Sequence, residues 1–326
     1  MKSTENRLSA PYECPTTISA LTKVQPHGTV SRFHAVPPRC THTKLKGEIL
    51  MSRSISIRLT LTLLLASAAA NAVTWTSIDP PGSNTTQVFS INSAGNLVGS
   101  AFISQQNHCF LLSGGVYTII DAPNSSATIC TGINDSGLIA GYYADSLNVT
   151  HGFLLNGSTF TTFDPPGSQG TIIGQINNAG QIVGYYSDEF GTHGFVWDNG
   201  TFNIIDRPGV AIQALGINNN GDISGYYSLP LSPDAGFVLI NGTFRNRKYP
   251  GATSTLVFGI NDRKQVVGRA DNGRTTIGFV VAGGVYQSVR YPGAIATIVY
   301  DIDQNANLVG TYTDSSGHGH GFLRTP

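Results

Sequence analysis

Four histidines, His108, His151, His193 and His320, recur in step along the chain. Zinc would need three or four ligands converging at about 2 Å. Equivalent places in separate repeats stand too far apart for that unless they line an innermost strand, so structural hydrogen bonding is the expected role. No metal and no cofactor are expected. Asp301, Asp303 and Asn305 have the spacing that opens a calcium loop, yet they align with ordinary Ile-Asn turns and no bidentate Glu follows. Paired carboxylates are the second chemistry on offer. A glycosidase holds two of them about 5–10 Å apart across the scissile bond, and Asp188-Glu189 could be drawn against Asp145 or Asp206. Nothing singles that set out. The G-x-S-x-G, H-E-x-x-H and phosphate-loop motifs are absent, so no catalytic residue is assigned. The pairs Tyr142-Tyr143, Tyr185-Tyr186 and Tyr226-Tyr227 could stack on sugars. On a strand one of each pair faces each way, so packing between sheets and cover over a hairpin also explain them.

These residues are positioned by a repeat. Pro81, Pro123, Pro166, Pro208, Pro250 and Pro292 recur every 42 or 43 residues. Three further series keep the same register. They are the Ile-Asn steps from Ile91-Asn92 to Ile302-Asp303, the glycines Gly99, Gly141, Gly184, Gly225, Gly268 and Gly310, and the phenylalanines Phe110, Phe153, Phe195, Phe237, Phe279 and Phe322. Six copies follow, at about 75–116, 117–158, 159–200, 201–242, 243–284 and 285–326. Within a copy the apolar runs are five to seven residues, rich in Ile, Val, Thr, Phe and Tyr, and bounded by Gly, Asn or Pro. That is strand chemistry, with no run long enough for a helix. Asn156-Gly157, Asn199-Gly200 and Asn241-Gly242 supply hairpin turns. Four antiparallel strands in such a length make a propeller blade. The segment 73–79 matches the outermost strand of a copy, and the sixth copy lacks that strand. The expectation is therefore an all-β, six-bladed propeller closed by 73–79, with no exposed edge.

The pattern I-N-x-x-G-x-[IV]-V-G followed by H-G-F, seen at Ile176–Gly184 and His193–Phe195, resembles the extracellular HAF-repeat family of bacterial proteins. His151–Phe153 and His320–Phe322 match too, whereas Ala235 and Ile277 replace the His in the fourth and fifth copies and the first reads His108-Cys109-Phe110. The resemblance covers nearly all of 75–326. It implies a secreted or surface protein and brings no catalytic residues.

The chain ahead of the repeats reads differently. Met51 opens MSRSISIRLTLTLLLASAAANA, whose Arg53 and Arg58, apolar run and Ala70-Asn71-Ala72 are the three regions of a secretory signal peptide. The run is too short for a membrane span. Residues 1–50 are polar and aperiodic, and are expected to be a non-native extension ahead of a true start at Met51, a genuine extension being the alternative. The remainder, 73–326, carries ten basic and sixteen acidic side chains, against a nucleic-acid partner. Its two cysteines, Cys109 and Cys130, are either a disulfide or two small buried side chains.

Tight Asn-Gly and Asn-x-x-Gly turns occupy one face of such a disc, and variable loops such as 144–150, 187–192 and 228–234 occupy the other. Variable loops on a rigid scaffold usually carry function. On that face Asp79, Asp121, Asp164 and Asp206 share one position that Lys248 and Arg290 take in the fifth and sixth copies. Copies one to three hold no Lys or Arg. The candidate ligand-binding set is Asp164, Asp206, Arg207, Lys248, Arg290, Asp188 and Glu189, bridging a polar ligand near the channel. Alternatively each Asp caps its own turn. The expected function is a secreted, monomeric binding or scaffold module for an extracellular glycan or protein. The competing reading is an extracytoplasmic polysaccharide hydrolase or lyase.

Overall fold

A computed structural model describes residues 72–326. The extension at 1–50 and the signal peptide, apart from Ala72, lie outside the described residues. Among the described residues there are 24 strands, and no helix is long and apolar enough to cross a membrane.

Each copy supplies the three inner strands of a four-stranded antiparallel set, and the start of the next copy supplies the outermost. In the third, Gly170–Ile176 is innermost, followed outward by Ile182–Ser187, Thr192–Asp198 and Thr201–Ile205. Alternation decides the faces: Thr171 and Ile173 are buried while Ile172 between them is partly open. Asn199-Gly200 and Asn241-Gly242 both take positive φ, as a type I′ hairpin requires. The hairpin of the second copy differs from expectation. Asn156 pairs with Thr159, so its turn is Gly157-Ser158 with positive φ at Gly157 alone, the II′ pattern.

The sheets radiate from a common channel, a propeller. Four are separate and four-stranded, but β-structure from Ala211 to Val289 forms one eight-stranded sheet instead of the two expected. The join is a single parallel bridge, Ala235 to Thr255, in which the Thr255 N–H donates to the Asp234 carbonyl at 3.3 Å. Gly236 permits it, because a Cβ there would lie 2.6 Å from Val257 and 3.3 Å from the Thr255 carbonyl oxygen. The ring closes as expected. Thr74–Ile78 pairs antiparallel with Gly319–Thr325, from Thr74 opposite Thr325 to Ile78 opposite Gly321.

The core lies between neighbouring sheets. Val183 and Ile205, on the second and outermost strands of one sheet, for example, pack with Ile212, Ile217, Ile223 and Phe237 of the next. The glycine and phenylalanine series are one device: each Gly sits directly across from its Phe, as Gly184 from Phe195 and Gly268 from Phe279. All six rings are fully buried. A Cβ on Gly184 would come 2.4 Å from the Ile172 carbonyl oxygen and 2.8 Å from the Phe195 ring, so the ring lies on bare backbone.

Cys109 and Cys130 form a disulfide that ties the third strand of the first copy to the innermost strand of the second. Both are fully buried. With a sequence separation of 21 between the half-cystines, chain-entropy reasoning gives about 3 kcal/mol of stabilisation. Replacing both by Ala, or reducing the bond, is expected to lower the denaturant midpoint accordingly. An unchanged midpoint would contradict that stabilisation.

Candidate functional site: the rim and the central channel

The recurring His and Asp of the variable face are partners. His108 Nδ1 meets Asp121 at 3.0 Å, His151 meets Asp164 at 2.8 Å, His193 meets Asp206 at 2.9 Å and His320 meets Asp79 at 3.1 Å. In three copies a loop carboxylate approaches the other ring nitrogen. Asp188 lies 3.2 Å from His193 Nε2, Asp314 3.5 Å from His320 and Asp145 3.7 Å from His151. The second tyrosine of the pair, or Tyr312, underlies the imidazole, with centroids 5.1–5.3 Å apart. Lys248 and Arg290 stand exposed at the ends of outermost strands whose neighbours carry Ala235 and Ile277, which leave no imidazole to hold.

The seven candidate residues are thus spread around the rim. Asp164 also accepts the Gly152 N–H. Arg207 lays its guanidinium over Tyr227 at 5.0 Å and Phe244 at 5.3 Å, while Glu189 is exposed. Of the seven only Asp206 and Arg207 share a hollow, of about 400 Å³, which His193 and the exposed Phe190 also line, with Asp188 held against His193. None of the seven lines the channel.

The rim clusters set a pH dependence. Burial pushes His193 down, but the hydrogen bond and charge of Asp206, then of Asp188, outweigh it and hold its proton above the ordinary 6.5. Asp145 and Asp314 are held below 3.8, first by the N–H of Val149 and of His318. Against the upward push of burial, the Phe190 N–H and His193 hold Asp188 below 3.8 as well. The imidazole contribution is complete below 6.5 and fades as pH rises through the elevated folded value. The carboxylate contribution is complete above 3.8 and fades as pH falls through the depressed ones. The melting temperature is therefore expected to peak between those limits, and His193→Ala to flatten its alkaline side. A profile that keeps rising above pH 7 would contradict this.

At its tight-turn face the channel narrows to a hollow of about 90 Å³ ringed by asparagines. Each Ile-Asn side chain does two jobs. Its oxygen takes the turn's own N–H groups, as Asn134 Oδ1 does from Ser136 and Leu138. Its amide donates to the same residue one copy on: Asn92 to Asn134, Asn134 to Asn177, Asn177 to Asn218, Asn218 to Asn261 and Asn261 to Asp303, at 3.0–3.2 Å. Asp303 has no amide to offer, so the ring ends where the first and sixth copies meet. The supposed calcium-loop residues serve this turn: Asp303 Oδ1 accepts the N–H of Asn305 and Asn307, both at 2.8 Å. Among the described residues no group of three or more His, Cys, Asp or Glu is arranged to hold a metal. Just above the ring Asp301 is buried, accepting from Ser90 at 2.9 Å and from the Ile91 N–H at 3.2 Å, with Gln175 reaching it from the opposite side. Burial pushes this carboxyl's proton affinity up.

Above that floor lies a chamber of about 200 Å³. Phe89, Tyr142, Tyr185, Tyr226, Phe258 and Tyr300 line it, with Thr131, Gln175 and Gln213. The phenols arrive by register. Tyr142, Tyr185 and Tyr226 sit on the second strand of their copies, opposite Ile129, Ile172 and Gln213 of the innermost. Burial raises all four phenols and takes Tyr300 to about 12, so they act as neutral donors and acceptors. Toward the variable face the inner strands begin with Thr85, Ala127, Gly170, Ala211, Ser254 and Ala296. The second tyrosine of each pair packs between sheets, as one of the two is expected to do, while the first converges on the channel instead of serving core packing or hairpin cover.

No family model and no curated protein matches the chain. Among solved structures it is similar to a mutant of Aleuria aurantia lectin in complex with Fucalpha1-6GlcNAc, at 14% identity and TM-score 0.48, over 75% of this chain and 93% of that one. It is also similar to a mutant of AofleA from Arthrobotrys oligospora, at 11% and 0.49, over 77% and 86%. A streptogramin B lyase follows at 10% and 0.43, over 78% and 98%. At such identities and scores, what those proteins bind or cleave does not transfer. The propeller fold here rests on the chain's own strand pairing.

Proposed function

We propose that the chain is a secreted, six-bladed propeller of the HAF-repeat kind that binds the end of a glycan in its central chamber. The six-blade reading takes the eight-stranded sheet as two blades joined by one long hydrogen bond. The buried disulfide and the signal-like segment at 51–72 support an oxidising, extracytoplasmic destination. The observation that carries the binding reading is the convergence of six aromatic rings with amides and a hydroxyl above the Asp301–Gln175 contact. Sugars present apolar C–H faces edged with hydroxyls, and an apolar pocket with a few placed polar groups suits them. The volume falls below the roughly 300–1,000 Å³ of drug-sized sites, on the scale of a single ring. A hydrolase would need two carboxyls facing across the bond, whereas the chamber lining offers phenols and amides.

A glycan array with the wild-type protein and Thr131→Trp tests this. Thr131 lines the chamber, and an indole there fills it without removing any aromatic wall. Specific hits are expected for the wild type and their loss is expected in the variant, with the melting temperature retained. Hits that survive in a folded variant would place the site elsewhere.

A further inference from the structure

We propose that the chamber's ligand carries a carboxylate and that Arg269 receives it; this rests on the chamber being the ligand seat. Arg269 lies on the second strand of the fifth copy, opposite Leu256 of the innermost strand. Its equivalents are Ser100, Tyr142, Tyr185, Tyr226 and Thr311, each opposite the corresponding inner residue. One guanidinium therefore stands in the register that elsewhere delivers the chamber's phenols, beside the chamber and not among the residues that line it. Its charge acts on both Tyr226 and Tyr300, pulling against the upward push of burial.

The guanidinium is incompletely paired. Arg269 Nε is buried and has no hydrogen-bond partner. The nearest carboxylate oxygen, Asp271 Oδ2, is 3.5 Å from it, beyond good N–H···O length. The other oxygen of Asp271 accepts the Thr276 hydroxyl. Asp301, on the floor, is already occupied by Ser90 and by backbone N–H groups. A guanidinium stays charged and can only donate, so the missing group is an acceptor. Nε itself is covered by the protein, whereas the side chain as a whole is 35% exposed, so an incoming acceptor would meet the rest of the fork. The planar fork matches a carboxylate best. With a chamber the size of one ring, the ligand class is a ring bearing a carboxylate, such as a hexuronic acid residue.

Calorimetric titration of the full protein with D-glucuronate against D-glucose, and D-galacturonate against D-galactose, tests the assignment. At least one uronate is expected to bind tenfold or more tightly than its neutral partner. That margin should shrink with added salt and vanish in Arg269→Gln. Arg269→Tyr, which restores the residue of three other copies, guards against misfolding and should lose the margin too. Neutral sugars binding as tightly, or a margin that survives both variants, would overturn the proposal. The chamber itself would still stand if Thr131→Trp abolished that binding. Failure of both uronates to bind would also overturn the proposal, and the array result would then judge the chamber separately.

Discussion

Phe237→Ala is expected to lower the unfolding free energy by about 3–5 kcal/mol, the range for deleting a buried aromatic ring. The ring is fully buried, packed with Ile212, Ala214, Ile217 and Phe244, and lies across from Gly225. No neighbour can swing in to fill the gap, because the residue beneath is glycine and both flanking strands are hydrogen-bonded. The reciprocal change has a different origin. Gly225→Ala sets a methyl 2.0 Å from the Gln213 carbonyl oxygen and 3.0 Å from the Phe237 ring. The first contact is with backbone and cannot be relieved by a rotamer, so a loss of similar size is expected. Urea unfolding of both variants checks this. A loss below about 1 kcal/mol in either would mean that the blade centre is looser than the strand pairing implies.

Asn134→Ala is expected to cost about 3 kcal/mol. It takes from the Asn177 carbonyl one of its two donors, the Gly180 N–H remaining, and removes the acceptor for the N–H groups of Ser136 and Leu138, three hydrogen bonds at roughly 1 kcal/mol each. Asn134→Asp separates the two jobs. An Asp keeps the turn, as Asp303 does with Asn305 and Asn307, and loses only the donor to the next blade. About a third of the cost is expected from it. Equal losses in the two variants, read from the same unfolding curves, would show that the inter-blade bond contributes nothing and that the asparagine serves its turn alone.

The repeat made most of the fold legible. Proline, Ile-Asn, glycine and phenylalanine each mark a place where one backbone geometry is required, and six occurrences separate such a requirement from chance. The same copies held a signal that was passed over. His and Asp lie thirteen residues apart in three copies, and where Ala235 and Ile277 displace the His, Lys248 and Arg290 displace the Asp. The fourth pair, His320 with Asp79, spans 241 residues and exists only because the ring closes. The chamber was harder to read. Alternation along Tyr185-Tyr186 says that the two rings face opposite ways. Which of them reaches the channel depends on how steeply the blades pitch around it, and no single strand encodes that. The double use of Asn134 was hidden for a related reason: its turn bonds are local, and its other partner belongs to the next blade. The ligand-bridging role drawn for Asp164, Asp206, Lys248 and Arg290 placed these residues near the channel, whereas the Asp side chains are anchored at the rim by imidazoles.

The most direct test of the account is a crystal structure of the protein bound to the strongest saccharide from the array. The account places the sugar ring in the chamber, within contact of Tyr142, Tyr185, Tyr226 and Tyr300. A sugar seated instead in the rim hollow between Phe190, His193 and Arg207, with the chamber unchanged, would contradict it.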